Sequence, residues 1–489
     1  MKTLADYFKK AGIGVSAPWQ SKLTLNPLKI PEPHQVDDLK FLGKFARAGL
    51  LHKPGAGKTL PVQAYGLWLA PLGNKVIYTM PPALMEQFKA SFETNFPGFQ
   101  KHCSLHIFDQ SPKVREQHLT RWKKEGFPDF MVLSYVAFKQ YHALLAKQGY
   151  SALVVDEATA VKHTSSNLHK CVRDFVGSTQ NTNGLVLMTG TPVETNVEDC
   201  FALIHLLDPF IYGSRRAFDR AHCIKVTIPI SKGNRVIEKI TGYKNLDALH
   251  RNLYRYCRRV DVKTSEPYRV SEVPVTLSSA HRRLYHALVN ERLAEIGDEV
   301  IDLTTQQSLY QALQKAIVDP SQYSEVPIES SLLNTLDTLI DSLEGRKVLV
   351  YAWHTDVVKL LAKRYEKLNP AMLFGETVGG KDSQRLKFVQ DPTCRIMVAN
   401  YKSGGVGVDE LQTVCSHMIF AQYPQAPGLF QQAVGRLARK GQSERVTVYF
   451  PVVKGTLSVH FRNELLRRDE LQEAVVLDKR ALLKQLMGE

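Results

Sequence analysis

The sequence predicts an α/β chain built as two parallel-sheet lobes in tandem, with an insert of strands and helices between them. Three observations point there. Short apolar runs alternate with amphipathic stretches in the first half, at Val76–Met80, Phe130–Ser134, Ala152–Val155 and Leu185–Met188. Runs this apolar over four or five residues belong to strands covered on both faces, as in parallel sheets with helical crossovers. The same grammar returns at Val348–Ala352, Arg395–Ala399, His417–Ala421 and Val446–Phe450, and the material between the two sets reads differently. Two sheets in one chain, each covered by helices, is the simplest arrangement that buries all of these runs.

Taken in order, residues 1–30 read as an N-terminal extension and 31–212 as the first lobe. Ile224–Tyr243 alternates in strand fashion around Ser231-Lys232-Gly233-Asn234, a hairpin-turn sequence. The stretch from Leu246 to Leu313 is mostly helical in pattern, apart from a short alternating piece at Val270–Leu277. Asp319-Pro320-Ser321 opens a turn-rich segment that ends near Glu329. The insert and linker therefore occupy 213–328 and the second lobe 329–456, and 457–489 reads as one long charged helix. No internal repeat or low-complexity tract breaks this order.

Composition narrows the partners. At 489 residues the chain holds roughly two to four domains. Its 44% hydrophobic and 23% charged residues suit buried cores. The net charge of +15 favours a polyanion, since each Lys or Arg set against a phosphate releases condensed counterions. An evenly spread basic surface is the plainer account of the same number. The seven cysteines are scattered with no CxxC pair, so neither a zinc site nor a disulfide framework is expected. The N-terminal MKTLADYFKKAGIG lacks a secretory apolar core, and no apolar run approaches the ~20 residues of a membrane span. The expected setting is inside a cell and off the membrane, either the cytoplasm of a bacterium or phage-infected host or, in a eukaryote, the nucleus.

Three motifs carry chemistry. In Leu50-Leu51-His52-Lys53-Pro54-Gly55-Ala56-Gly57-Lys58-Thr59 a strand-like run enters a glycine-bearing loop and then a helix. Pro54 opens the loop, backbone N–H groups of Gly55, Ala56, Gly57, Lys58 and Thr59 can cradle phosphates, Lys58 can reach the β/γ-phosphates, and the Thr59 hydroxyl can hold Mg²⁺. His52 stands where such loops usually begin with glycine. In Leu153-Val154-Val155-Asp156-Glu157-Ala158-Thr159 an apolar strand ends in paired carboxylates. Phosphoryl transfer needs one carboxylate for the metal, Asp156, and one for the attacking water, Glu157. A helix-capping Asp at a strand end is the bland alternative, and the loop ~100 residues upstream in the same sheet pattern argues against it. In Gln432-Ala433-Val434-Gly435-Arg436-Leu437-Ala438-Arg439 the two arginines, three apart, share one face if the segment is helical. Such a pair can stabilise charge on a γ-phosphate, or can simply be a solvated basic helix.

With these residues in view, the sequence resembles superfamily-two helicases, and within them the Swi/Snf-type DNA translocases, from about Pro33 to Leu466. The resemblance implies two RecA-like lobes, ATP and Mg²⁺. Pro33-His34-Gln35 is similar to the family's adenine-reading motif, with Gln35 as base contact. Lys58 and Thr59 match the phosphate loop, and Asp156-Glu157-Ala158-Thr159 resembles the DEAH box with Thr159 in place of its histidine. Leu187-Met188-Thr189-Gly190-Thr191-Pro192 with Asn196 and Leu206-Leu207-Asp208-Pro209 parallels the most specific family signature, and implies that Thr189 and Thr191 couple nucleotide to strand groove. Ser403–Asp409 looks like the motif that joins nucleotide and DNA responses, with Gly407 and Asp409 on the nucleotide side. Gln432, Arg436, Arg439, Gly441 and Gln442 fit the last catalytic motif, and Gly455-Thr456 resembles the G-T element after it. The stretch Gly242–Leu249 followed by Cys257-Arg258-Arg259 is similar to the linker of fork-remodelling, or annealing-helicase, relatives. The family's D-x-W-x-P is reduced here to Gln422-Tyr423-Pro424.

The resemblance implies a DNA-dependent ATPase, working as a monomer, that moves on double-stranded DNA and acts on forks, junctions or bound proteins. Strand ends are where ligands dock on open α/β sheets, and phosphate contacts there carry no sequence information. The expected contacts are Thr79, Met80 and Pro81, Ser134 and Tyr135, and Thr191 on the first lobe. On the second they are Trp353 and His354 with Tyr401, Lys402 and Ser403. Tyr135 and Trp353 have a plainer role available, covering the sheet edge. Two rivals stand beside this expectation. A strand-separating DNA or RNA helicase would use Ile224–Tyr243 as a wedge, and a nucleotide-gated DNA-binding adaptor would turn over little ATP.

Overall fold

The computed structural model describes residues 2–463, except 54, 109, 179–183, 191, 194–195, 230–235, 261–267, 292, 297–298, 303–305, 376–379, 402–409, 425–426, 440 and 460–461. The chain divides into two compact units, the second spanning residues 263–469.

In the first unit the strands are β1 (Arg47–Leu50), β2 (Lys75–Met80), β3 (Leu105–Ile107), β4 (Phe130–Ser134), β5 (Tyr150–Val155) and β6 (Leu185–Met188). A hairpin of β7 (Cys223–Pro229) and β8 (Val236–Tyr243) follows, then β9 (Cys257–Arg258). β1–β6 and β9 form one sheet in the order β3-β4-β2-β5-β6-β1-β9, and every pairing in it is parallel. Alternation along the strands divides the side chains between two cores. Ile77, Leu153, Val155, Leu185 and Leu187 enter one, while Val76, Tyr78, Val154, Val186 and Met188 enter the other. That is why these strands read as unbroken apolar runs.

The second unit contains β10 (Arg269–Val275), the antiparallel pair β11 (Leu293–Ile296) and β12 (Glu299–Asp302), then β13 (Val348–Ala352), β14 (Ala371–Leu373), β15 (Ile396–Asn400), β16 (His417–Phe420) and β17 (Thr447–Val453). Its main sheet runs β10-β17-β16-β13-β15-β14, again all parallel. Val348, Val350 and Val398 face one core and Leu349, Tyr351 and Met397 the other. The predicted α/β architecture of two parallel-sheet lobes is therefore what the chain adopts.

The material expected to form a separate insert over 213–328 is shared out instead. Its first part closes the first sheet through β9, and its later part supplies β10 to the edge of the second sheet, paired with β17 over seven residues. Sequence periodicity alone does not show this, because a two-residue strand is below the length at which alternation is visible. The pair β11–β12 lies within the stretch read as mostly helical, where the helices among the described residues are Leu246–Tyr254, Ser279–Glu291 and Gln306–Val318. The hairpin expected at 224–243 is present, and its predicted turn, Ser231–Asn234, lies outside the described residues. So does 464–489, most of the expected C-terminal helix.

The N-terminal extension packs on the first unit. Thr3 caps the Leu4–Ala11 helix by accepting from the Asp6 N–H, the Asp6 carboxylate accepts from Thr3 N–H in return, and Gly12 ends the helix at φ 70°. Leu4, Tyr7, Phe8 and Ala11 are completely buried against Leu39 and Leu42 of the Pro33–Lys44 helix. Each large apolar side chain so placed contributes roughly 1.5–3 kcal/mol.

Candidate active site

The phosphate-loop sequence lies between β1 and the Thr59–Leu69 helix, as the strand–loop–helix reading requires. Gly55 and Gly57 take φ of 84° and 72°, the left-handed region that a side chain disfavours. Gly57 has a second reason to be glycine, because a Cβ there would stand 2.4 Å from Gln35 Nε2. That amide nitrogen donates to the Gly57 carbonyl oxygen at 2.9 Å, and the His34 ring lies 2.9 Å from the Ala56 carbonyl oxygen. Gln35 thus ties its helix to the loop, and its Oε1 accepts from Glu32 N–H at 2.9 Å. Tyr7 of the extension holds the same helix, donating to the Gln35 carbonyl oxygen at 2.8 Å. Pro54 lies outside the described residues.

Lys58 donates to the His52 carbonyl oxygen at 2.8 Å. Burial lowers its pKa, while the nearby Glu157 and Asp156 carboxylates pull the other way. Asp156 is raised by burial, and the Lys58 ammonium opposes that shift. One cation and two carboxylates thus face one another at the ends of β1 and β5. The backbone places them there. Asp156 N–H donates to the Thr79 carbonyl oxygen at 2.9 Å, continuing the β2–β5 pairing, and Glu157 N–H donates to Asp156 Oδ1 at 3.0 Å. Glu157 itself has φ 49° and ψ 58°, a left-handed turn that points the chain away from the strand. Both Thr59 and Asp156 are half-buried, on the same rim of the sheet as Lys58. Lys58 and the Thr59 hydroxyl at a helix start, with the Asp156 carboxylate after β5, suit a Mg²⁺–triphosphate, the ammonium for phosphate and the two oxygen groups for the metal. Among the described residues no cluster of three His, Cys, Asp or Glu offers a different metal site.

In the second unit the arginines do not sit on a helix. The Pro427–Val434 helix stops before them, and Arg436, Leu437 and Gln442 close three-residue turns on Ala433, Val434 and Arg439. Gly435 and then Gly441, at φ 93°, make continuation unfavourable. Arg436 and Arg439 are half-buried, and the expectation of a shared helical face is replaced by a turn that carries both. Gln432 is on the last turn of the helix, while Gly407 and Asp409 lie outside the described residues.

Several residues expected to touch DNA have other work. Thr79 is completely buried in β2, so its side chain reaches no surface. Ser134 is buried and caps the Tyr135–Lys147 helix, accepting from the Ala137 N–H at 3.2 Å. Tyr135 donates to the Asp156 carbonyl oxygen, a role neither expectation named. Pro81 remains half-exposed at the end of β2. Trp353 and His354 follow β13, and both backbone N–H groups donate to Gln422 Oε1, at 2.9 and 3.1 Å. Gln422 also donates to the Gln314 carbonyl oxygen at 3.2 Å, so the shortened Gln422-Tyr423-Pro424 motif is a brace for the β13 turn. Thr191, Lys402 and Ser403 lie outside the described residues.

Sequence reasoning missed the back of the phosphate loop. Asp38 and His52 are completely buried 2.9 Å apart, and Arg258 Nε donates to the other Asp38 oxygen at 3.0 Å. Val260 N–H donates to His52 Nδ1 at 3.1 Å, so that nitrogen carries no proton and the ring gives its Nε2–H to Asp38. Arg259 donates to the Leu51 carbonyl oxygen at 3.3 Å. The paired arginines were visible as a linker feature, but no spacing rule joins residues more than 200 positions apart.

Comparison with known proteins agrees with this geometry. The model of the SNF2-related domain matches residues 34–324, and that of the helicase conserved C-terminal domain matches 331–441. Among curated relatives, a zebrafish (Danio rerio) Chromodomain-helicase-DNA-binding protein 1-like is 24% identical over 95% of this chain and 46% of its own length. The Bacillus subtilis uncharacterized ATP-dependent helicase YqhH is 22% identical over 92% of this chain and 80% of its own. The human DNA annealing helicase and endonuclease ZRANB3 is 22% identical over 90% and 40%. The chain spans a quarter to a half of the length of the first curated relatives it matches. With the SNF2-related model covering more than half of the residues and two parallel sheets behind it, the chain belongs to the SNF2-related family of superfamily-two helicases.

Proposed function

We propose that this chain is a DNA-dependent ATPase that turns ATP hydrolysis into movement along double-stranded DNA. The observation that carries this is the convergence of Lys58 with Asp156 and Glu157 beyond the ends of β1 and β5, which flank β6, beside a loop whose glycines adopt the conformation a phosphate cradle needs. In this reading the loop N–H groups and Lys58 hold the phosphates, and Thr59 and Asp156 hold Mg²⁺, which when bound neutralises phosphate charge. Glu157 orients the lytic water. Gln432, Arg436 and Arg439, with Gly407 and Asp409, match the family's nucleotide-responding motifs and are proposed to respond to the phosphates. Hydrolysis at this loop is the source of motion.

Double-stranded DNA as the track is supported by the family, the charge of +15 and likeness to a helicase-DNA-binding protein and a DNA annealing helicase. Binding through phosphates makes affinity steeply salt-dependent and tolerant of sequence. Forks and junctions are the proposed biological substrates, because the motif at 242–259 resembles the linker of annealing-helicase relatives and the chain is similar to such a helicase over 90% of its length. Among the described residues no helix is long and apolar enough to cross a membrane. The deciding experiment is the ATPase rate of the full chain against duplex DNA, single strands, forks, junctions and RNA. Stimulation by duplex DNA and forks is expected. A strong preference for RNA or single strands would instead support strand separation around the β7–β8 hairpin, and negligible turnover with every nucleic acid would support an adaptor.

A further inference from the structure

We propose that Arg258 and Arg259 are positioning residues of the phosphate loop, through which the strand that follows the hairpin sets how tightly nucleotide is held. The inference rests on the reading of Lys58 as a phosphate ligand. Strand β9 is only two residues long, yet it lies beside β1 and runs on past it. Gly49 N–H donates to the Tyr256 carbonyl oxygen and Leu51 N–H to that of Arg258, both at 2.8 Å. The second of these bonds is already at the loop entry.

From there the contacts turn inward. Arg258 reaches Asp38 at 3.0 Å and Asp37 at 3.5 Å on the helix that carries Gln35. Asp38 is completely buried, and its other neighbour, His52, is a neutral donor. The guanidinium of Arg258 is therefore the positive charge in direct contact with this carboxylate, and without it only the neutral imidazole and the more distant Lys58 would remain beside a buried anion. Arg259 holds the Leu51 carbonyl oxygen, while Lys58 holds that of the next residue, His52. The two carbonyls at the loop entry are thus fixed by one cation from the linker and one from the loop itself. Arg259 also adds positive charge beside Lys58.

The same segment is joined to the hairpin. The Leu246–Tyr254 helix starts three residues after β8, buries Leu249 and Leu253 in the first-unit core, and leads directly into β9. Tyr256 donates to Asp208 at 2.9 Å. The contact between β9 and β1 leaves no slack, since a Cβ at Gly49 would stand 2.6 Å from Cys257 Sγ. A shift of the hairpin base is thereby passed to the loop as a shift of Arg258 and Arg259.

The test uses the full chain with duplex DNA and measures KM for ATP, kcat and the melting temperature. Arg258→Gln and Arg259→Gln should each raise KM for ATP about tenfold while changing kcat much less, as misplacement of a binding loop does. Arg258→Lys, which keeps charge but not the two-carboxylate reach, should fall between. Gly49→Ala, which displaces β9 without removing a charge, should raise KM likewise, and adding Cys257→Ala should bring it back. An edge strand that merely stabilised the sheet would lower the melting temperature and leave KM alone. Unaltered KM in both glutamine variants overturns the proposal, and if Arg258→Gln does not fold, Arg259→Gln decides, because the Asp38 pair stays intact in it. Lys58→Ala is the control. Turnover that survives Lys58→Ala refutes the reading of the site itself, whereas lost turnover there with unaltered KM in the arginine variants refutes only this inference.

Discussion

Tyr135 donates its phenolic hydrogen to the main-chain carbonyl oxygen of Asp156 at 2.5 Å, and the Glu157 carbonyl oxygen lies 3.4 Å from the same hydroxyl. The turn it grips contains Glu157 at φ 49°. A non-glycine residue held in that region costs on the order of 1–3 kcal/mol and persists only when its surroundings fix it. Tyr135→Phe removes the grip and little else. Stability should fall by about 1 kcal/mol. Turnover should fall further than that loss alone would explain, roughly tenfold, because the proposed water-orienting carboxylate is no longer aimed. Urea denaturation and steady-state ATPase assays check the two effects separately, and wild-type turnover would remove Tyr135 from the site.

The two carboxylates should separate by function. Glu157→Gln is expected to abolish hydrolysis and keep ATP binding, since Asp156 and Lys58 remain. Lys58→Ala is expected to weaken binding itself. Fluorescent-nucleotide titration beside phosphate-release assays distinguishes these outcomes, and turnover retained in Glu157→Gln would reassign the water-orienting role.

Acid should destabilise the fold. Burial, helped by the positive charge of His118, Arg121 and Lys89, pushes His106 down to about 4. The unfolded chain takes up this proton near 6.5 and the folded chain only near 4. Stability from the neutral ring is therefore complete above pH 6.5 and is lost as pH falls toward 4. His52, His169, His205, His222, His281, His354 and His417 are lowered in the same direction, each chiefly by burial. The melting temperature should drop steadily between pH 7 and pH 5, and more gently in His106→Gln. A flat profile over that range would contradict the burial of these rings.

Two helical glycines should respond oppositely to alanine. Gly66 follows the phosphate loop in the Thr59–Leu69 helix, and a Cβ there would meet Tyr78 Oη at 2.0 Å and Phe130 at 3.5 Å. Overpacking of this kind costs about 1–3 kcal/mol, more than the ~1 kcal/mol gained in helix propensity. Gly177, in the Asn167–Ser178 helix, has nothing within 4 Å of its Cβ position. Gly66→Ala should lower the melting temperature, Gly177→Ala should raise it slightly, and Tyr78→Phe should recover part of the first loss. Equal responses at the two positions would mean that Gly66 is not packed against β2 as described.

The sequence by itself determined which strands build each sheet core and which residues stand at the ends of β1 and β5. Those features are local: an apolar run reads as a covered strand, and a glycine loop or a carboxylate pair is complete within a few residues. What lies behind them is set by the packed chain, which buried Thr79 and Ser134, turned Gln422 into a brace for Trp353 and His354, and brought Arg258 to Asp38 across 220 positions. The physical reason is that burial and ion pairing depend on which strands become neighbours. The sheet order β6-β1-β9, which puts the linker against the phosphate loop, is fixed by packing of the whole unit and leaves no periodicity in the chain that forms it.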